Sequence, residues 1–331
     1  MAALNENGLI EQIFAIKSEA EFDICALEVF RYQYKTNPVY REFTNALNID
    51  INEISERSKI PYLPISFFKS HRIFCGEREQ EMVFYSSGTT GEKTSAHHVA
   101  RVEIYRQSFR KAFQYFYGDV SNYCILALLP SYKEREGSSL IFMVDDLIAK
   151  SAHAQSGYYL KADELLLDTL VSLDSSGVKT LMIGVSYALL DFAEKFQLNL
   201  KHGIVMETGG MKGRRKELVR EELHQILKAS FGVNAIHSEY GMTEMMSQGY
   251  SKGNGIFECP PWMRVEVREI DDPLSPALTQ KTGGLNVIDL ANLNSCSFIS
   301  TQDLGKVYSN NTFEVLGRFD NSDIRGCNLL L

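Results

Sequence analysis

The sequence predicts an α/β protein, a mainly parallel sheet flanked by helices and joined to a β-rich subdomain. Three features of its patterning carry this expectation. From Glu81 onward, short apolar runs alternate with segments of helical period. Beyond about Met245 the helical period fades and short strand-like runs replace it. The first 80 residues or so read mostly as helix and loop. The expected divisions are a helical N-terminal segment over 1–80, an α/β subdomain over 81–245, a β-rich subdomain over 246–320 and a tail over 321–331.

The elements follow in order. Ile10, Ile13, Phe14 and Ile16 give a short amphipathic start, and Phe22 to Tyr34 carries apolar residues at helical spacing. Pro38 opens another helix toward Leu47, proline being favoured at the first helical position. Pro61 and Pro64 punctuate Ile60–Phe68, an extended and aromatic-rich segment. Met82–Phe84 reads as a strand ending in a glycine-rich loop, and Arg101–Phe116 as a helix. Cys124–Leu129 is an unbroken apolar run closed by Pro130, the pattern of a strand buried on both faces. Strands over Thr180–Gly184 and Gly203–Glu207 alternate with helices over Tyr187–Phe196 and Arg215–Ala229. Met263–Val267, Gly284–Ile288 and Lys306–Tyr308 are the strand-like runs of the β-rich part.

At 331 residues the chain can bury a sizeable core across two or three subdomains. Its 34 Lys and Arg against 42 Asp and Glu leave a formal charge of −8, a poor basis for gripping a nucleic-acid backbone. Six cysteines show no CxxC spacing and the histidines complete no ligand set, which argues against structural zinc and a secreted disulfide framework. No basic region followed by an apolar run opens the chain, and no apolar stretch approaches membrane-span length. The expectation is a protein of the reducing cytoplasm.

The strongest local signal is Tyr85-Ser86-Ser87-Gly88-Thr89-Thr90-Gly91-Glu92-Lys93, directly after an apolar strand. Gly88 and Gly91 let the backbone approach an anion closely, and the N–H groups and hydroxyls around them can cradle phosphate oxygens. Lys93 supplies a point charge that can follow the β- and γ-phosphates. The spacing is not that of G-x-x-x-x-G-K-[ST]. A solvated turn would account for the glycines, but not for the hydroxyls of Ser86, Ser87, Thr89 and Thr90 with a trailing lysine.

Ser87–Gly91 resembles the phosphate loop of the adenylate-forming superfamily, which includes acyl-CoA synthetases, firefly-type luciferases and peptide-synthetase adenylation domains. That family usually continues Gly-x-Pro-Lys; here the proline is absent and Lys93 comes one position early. Further along, Glu239-Tyr240-Gly241-Met242-Thr243-Glu244 resembles the family's aromatic-Gly-x-Thr-Glu motif. Tyr240 offers a flat face for adenine, Gly241 permits a sharp turn, Thr243 can bond the α-phosphate and Glu244 is a hard oxygen ligand for Mg²⁺. Thr208-Gly209-Gly210 follows the Gly203–Glu207 strand where the family lets backbone approach the nucleoside; a plain strand-end turn is the other reading. His237 either lines this site or is a packed core histidine. Ser300-Thr301-Gln302-Asp303-Leu304-Gly305 resembles Thr-Gly-Asp-Leu-Gly, with Gln302 in place of glycine, and Asp303 would accept from both ribose hydroxyls. Gly317-Arg318-Phe319-Asp320 resembles the hinge element Gly-Arg-x-Asp, with Arg318 reaching ribose or phosphate. The resemblance implies the large N-terminal domain of the adenylate-forming fold, using ATP/AMP and Mg²⁺.

In larger superfamily members roughly another hundred residues follow the hinge as a mobile lid domain with a catalytic lysine. Here only Asn321 to Leu331 remain, so the usual C-terminal lid is expected to be lacking. That shortness, Cys327 and the Ile60–Lys69 segment make the chain similar to the acyl-protein synthetase family of the bacterial bioluminescence fatty-acid reductase complex. In that family the acyl group moves from AMP to a cysteine near the C-terminus, then to a reductase partner. The resemblance implies that Cys327 is the acyl acceptor; a buried apolar cysteine is the alternative. Leu129–Tyr132 and Ile183–Tyr187 leave strands where open α/β sheets bind ligands, and either line an acyl site or cap the core.

The expected activity is ATP-dependent activation of a carboxylic acid, fatty by resemblance, to acyl-AMP with transfer to a protein thiol. Two alternatives stand beside it. One is a ligase delivering the acyl group to coenzyme A or a carrier-protein thiol. The other is a nucleotide-binding protein without catalysis. The expected partners are the acid substrate and an acyl-reductase or acyl-carrier protein, with no nucleic acid and no membrane span.

Overall fold

The computed structural model describes residues 5–86, 94–130, 137–209, 218–270, 272, 274–276 and 280–319. In chain order it begins with α1 (Glu6–Ile13), α2 (Glu19–Thr36), α3 (Pro38–Ala46), β1 (Leu63–Pro64) and α4 (Phe67–Ser70). There follow β2 (Met82–Tyr85), β3 (Ala96–Val99), α5 (Val102–Tyr117), β4 (Cys124–Leu128), α6 (Ser139–Ser151), β5 (Gly157–Tyr158) and α7 (Glu164–Ser175). Next are β6 (Thr180–Val185), α8 (Ser186–Ala193), β7 (Gly203–Thr208), α9 (Arg220–Phe231), β8 (His237–Tyr240), β9 (Gly249–Ser251) and β10 (Ile256–Glu258). The last are β11 (Met263–Arg268), β12 (Gly283–Asp289), β13 (Phe298–Val307) and β14 (Phe313–Arg318). Two compact units result: the described residues up to Arg78 with those from Pro261 onward, and Glu79–Pro260. Among the described residues no helix is long and apolar enough to cross a membrane.

The first unit joins the helical start to the β-rich part, which the patterning treated as separate regions. α2 begins at a capping box in which Glu21 N bonds Ser18 Oγ and Ser18 N bonds Glu21 Oε2, satisfying two helix-end donors. It stops at Asn37, whose side chain caps α3 through Tyr40 N at 3.0 Å, with Pro38 at the first helical position. The buried face of α2 packs on β13: Phe30 meets the Phe298 ring edge-on at 6.4 Å, and Tyr40 of α3 stacks on it at 6.2 Å. Buried Gln33 donates to the carbonyls of Asn292 and Leu293 and accepts from Ser297 N. Those loop groups would otherwise be orphaned in the core. β11, β12, β13 and β14 form an antiparallel ladder in that order, and β1 pairs with β13 in parallel. Lys306 and Val307, read in sequence as part of a short strand-like run to Tyr308, are the end of the ten-residue β13.

In the second unit β5, β4, β6, β7 and β8 lie side by side in parallel, and β9 and β10 continue the sheet antiparallel. Every residue of β4 and β6 is buried, as their unbroken apolar runs require. The strand Met82–Tyr85 lies outside this sheet: it pairs with β3 in a separate two-stranded hairpin. An aromatic cluster fastens that hairpin to helices, with Phe84 5.4 Å from Tyr105 of α5 and 5.7 Å from Phe142 of α6. Helices α6 and α7 escaped the sequence patterning. The signals that start them are single caps, Ser138 Oγ accepting from Ile141 N and Asp163 Oδ1 from Leu166 N.

Candidate functional site

The carboxyl ends of parallel strands are where an open α/β sheet exposes loops to a ligand. β7 and β8 run in register with Thr208 opposite Glu239, so Gly209 and the Tyr240–Glu244 segment leave the sheet side by side. Thr208 Oγ1 donates to Glu239 Oε2 at 2.5 Å and links the two exits. Burial pushes the Glu239 carboxyl up to about 7; the Thr208 bond works against this and the charge of Glu207 works with it.

Gly209 has φ +67°, a conformation that glycine adopts freely. Its carbonyl accepts from Ser186 Oγ at 2.8 Å. Beneath it lies a buried polar group: Glu207 stands 3.6 Å from His224 Nε2, 3.5 Å from Arg220 Nε and 3.3 Å from Ser186 Oγ. Burial works to raise the Glu207 carboxyl, but His224 and Arg220 outweigh it and hold the group below its usual range. A charged network of this kind fixes where the β7 exit starts.

Gly241 follows Tyr240 at the strand exit. Its φ is not positive; instead, an added Cβ would lie 2.5 Å from Glu239 Oε1. The glycine leaves room for that half-buried carboxyl. Tyr240 is only 8% exposed and meets Phe257 edge-on at 5.9 Å, so it offers less open face than a solvent-facing platform for adenine. Beyond it, Met245 N bonds Met242 O at 3.0 Å, closing a turn with Thr243 and Glu244 at its centre. Thr243 is half-buried and Glu244 6% exposed. The Thr243 carbonyl accepts from His97 Nδ1 at 2.8 Å, and Ser247 Oγ bonds Ser108 Oγ of α5 at 3.0 Å.

The stems of the glycine-rich loop are tied together. Ser86 N donates to Ser95 O at 3.0 Å, Ser95 N to Ser86 Oγ at 2.8 Å, and Tyr85 N to Gly137 O at 2.8 Å. Ser86 thus closes the loop with its own hydroxyl oxygen. His237, half-buried, packs on Tyr117, whose hydroxyl is 3.1 Å from Nδ1, and burial with nearby Lys252 lowers it to about 4. Ser87, Gly88, Thr89, Thr90, Gly91, Lys93, Gly210, Asp320 and Cys327 lie outside the described residues.

In the first unit, Asp303 and Arg318 are cross-strand partners on β13 and β14, and Arg318 Nε donates to Asp303 Oδ1 at 3.0 Å. The Asp303 side chain is 6% exposed and that of Arg318 is 76% exposed, so water competes for the arginine but hardly for the carboxylate. Gly305, the last residue of that motif, follows a register shift, and its Cβ would lie 2.1 Å from Glu314 O. It serves strand packing. Arg268 was not singled out by sequence: buried, it donates to Leu285 O at 2.8 Å and Thr301 O at 2.7 Å, filling the irregularity between Gly284 and Asn286. A Cβ on Gly284 would lie 2.4 Å from its guanidinium carbon.

Among the described residues no group of three or more His, Cys, Asp and Glu could hold a metal ion. Mg²⁺ carried by one or two carboxylates and substrate phosphates needs no such group, and the donor chemistry of buried Glu244 fits that role.

Sequence reasoning missed His97, Glu239, Arg268 and the pairing of Glu207 with His224. For His97 a signal existed: it alternates with Val99 as a buried position on β3.

The fold is that of the large N-terminal domain of adenylate-forming enzymes. The chain is similar to 2-hydroxyisobutyryl-CoA ligase, solved in an open conformation with 2-HIB-AMP and CoA, at a TM-score of 0.65 and 14% identity over 92% of this chain and 72% of that one. It is also similar to ATP-bound MatB from Rhodopseudomonas palustris, at a TM-score of 0.54 and 16% identity, covering 71% of this chain and 47% of that one. By sequence, a long-chain-fatty-acid–luciferin-component ligase of Photorhabdus luminescens is 42% identical over 69 residues, a match that spans 20% of this chain and 59% of that relative. The chain belongs to the acyl-protein synthetase, LuxE family, whose model matches residues 16–331.

Proposed function

We propose that the chain activates a fatty acid with ATP and carries the acyl group as a protein thioester. A carboxylate oxygen attacks the α-phosphorus of ATP, the bond to the bridging oxygen breaks, and pyrophosphate leaves to give acyl-AMP. A cysteine thiolate then attacks the acyl carbonyl and expels AMP. The observation that carries this reading is the Met242–Met245 turn, with Thr243 and buried Glu244 at its centre, beside the glycine-bearing exit of β7. Family membership and the likeness of fold support it.

In this reading Thr243 bonds the α-phosphate, the Ser86–Gly91 loop and Lys93 cradle the leaving phosphates, and Gly209 and Gly210 bring backbone to the nucleoside. Tyr240 and Gly241 border the base, Asp303 accepts the ribose hydroxyls, and Arg318 orients Asp303 or reaches phosphate. Glu244 would hold Mg²⁺, which supplies neutralising charge to the triphosphate. Catalysis is then positioning plus stabilisation of charge on the departing pyrophosphate. Cys327 is the proposed acyl acceptor, from which the acyl group passes to a reductase or carrier partner. A cytoplasmic setting fits the need for ATP.

The test is carboxylate-dependent exchange of labelled pyrophosphate into ATP, followed by intact-mass measurement. Exchange with long-chain acids and a mass gain of one acyl group, removed by hydroxylamine, is the expected result. No exchange with any acid from acetate to long-chain and aryl carboxylates would sink the reading. Exchange without a mass gain, with acyl-CoA appearing when coenzyme A is added, would transfer the acceptor role to coenzyme A.

A further inference from the structure

The Thr243–Glu244 peptide is held from a distant part of the chain. In a hydrogen-bonded turn the bond runs from the first carbonyl to the fourth N–H, here Met242 O to Met245 N. The carbonyl of the second residue takes no part in that bond and needs a donor from elsewhere when water is excluded. Here the second residue is Thr243, and the donor is His97, fully buried on β3 and 146 positions earlier in sequence.

A carbonyl oxygen can only accept, so Nδ1 of His97 carries the proton. The peptide plane that His97 grips is the one joining Thr243 to Glu244, so the bond fixes ψ of Thr243 and φ of Glu244 and with them the form of the turn. The other arm of the same hairpin, β2, runs into the glycine-rich loop, and Ser86 and Ser95 clasp the two arms at its base. One short ladder therefore carries the stems of the phosphate loop and the anchor of the Thr243–Glu244 turn.

We infer that His97 is a positioning residue for adenylation, setting the Thr243–Glu244 peptide in register with the stems of the phosphate loop. It acts through the turn and touches no substrate. This inference rests on the adenylation reading above and adds to it a residue that the motifs do not contain. The chemistry that reaches Thr243 is an N–H donor at the Nδ1 position. Asparagine supplies such a donor at the same distance from the backbone; glutamine places its amide one carbon further out; alanine supplies none.

The experiment compares wild type with His97→Ala, His97→Asn and His97→Gln in carboxylate-dependent pyrophosphate exchange, with thermal melting of each. A displaced reacting group costs up to about 100-fold. The expected result is a kcat roughly 10- to 100-fold lower for His97→Ala with KM for the acid little changed, and recovery to within about threefold in His97→Asn but not in His97→Gln. Melting temperatures should not follow that order. Wild-type rates in His97→Ala would overturn the inference, as would a loss that tracks melting temperature and is not restored by asparagine. Absence of exchange in the wild type would instead remove the adenylation reading itself, so the two failures are distinguishable.

Discussion

Two buried carboxylates of the candidate machinery are held in opposite ways. Asp303 rides inside β13 of the first unit, opposite Arg318 on β14, and its direction follows from strand register. Glu244 lies in a turn of the second unit, where no ladder dictates its direction, and its peptide is gripped by His97 from another hairpin. A side chain on a regular ladder inherits its geometry from backbone hydrogen bonds repeated on either side. One in a turn depends on a few individual bonds, each of which can be lost alone. The turn should therefore tolerate change less than the ladder.

The largest expected effect lies in neither region. Replacing Cys327 with serine should abolish the hydroxylamine-labile acyl label while leaving pyrophosphate exchange intact, read by mass spectrometry after incubation with ATP and a long-chain acid. That would show that the turn and the ladder serve activation alone. A label that persists, or that maps to Cys259 or another cysteine, would remove Cys327 from the scheme.

Glu244→Gln removes a hard ligand charge and keeps the shape. Exchange should fall by roughly 10²–10³-fold, with a higher Mg²⁺ requirement, as for loss of one preorganised contact. Unchanged turnover and Mg²⁺ dependence would reduce the turn to a structural feature.

Glu239 offers a pH-dependent version of the same question. Burial holds it at about 7, against 4.5 for the unperturbed carboxyl. A native pKa above the unfolded one means that the folded state binds the proton more tightly. Its stabilising contribution is full below about 4.5 and is lost as pH rises through about 7, on the order of 3 kcal/mol in all. Urea unfolding should therefore show wild type losing stability relative to Glu239→Gln between about pH 5 and 8. Parallel pH profiles for the two proteins would dismiss the effect.

Asp303→Asn should be the mildest. The amide keeps one acceptor oxygen but loses the charge, so KM for ATP should rise by about tenfold, the worth of a charge-assisted hydrogen bond, with kcat nearly kept. A loss in kcat as large as that of Glu244→Gln would erase the contrast between ladder and turn.

The parts of the fold legible in sequence are those set by near neighbours. The buried runs of β4, β6 and β7, the glycines beside their exits and the Thr243–Glu244 pair are all local patterns. The proline at the start of α3 belongs with them. α6 and α7 were not read from the sequence; each is announced by a single polar cap, Ser138 or Asp163, which marks a helix only once the first turn is placed. Gly241 and Gly305 stood out as motif glycines, but the atoms an added Cβ would meet, Glu239 Oε1 and Glu314 O, became visible only in space.

By itself the sequence determined the class of fold, the order of the motifs that resemble those of the adenylate-forming superfamily and the residue types within them, because residue spacing and backbone preference act over a few positions. Tertiary structure alone decided that the helical start and the β-rich part share one unit. It also decided that Arg268 fills the irregularity in β12, that Glu207 is held charged by His224 and Arg220, and that His97 grips Thr243. Each of these is a bond between groups far apart in the chain. Such bonds form only once strand register has brought a buried donor to a buried acceptor, and no local pattern records which pairs will meet.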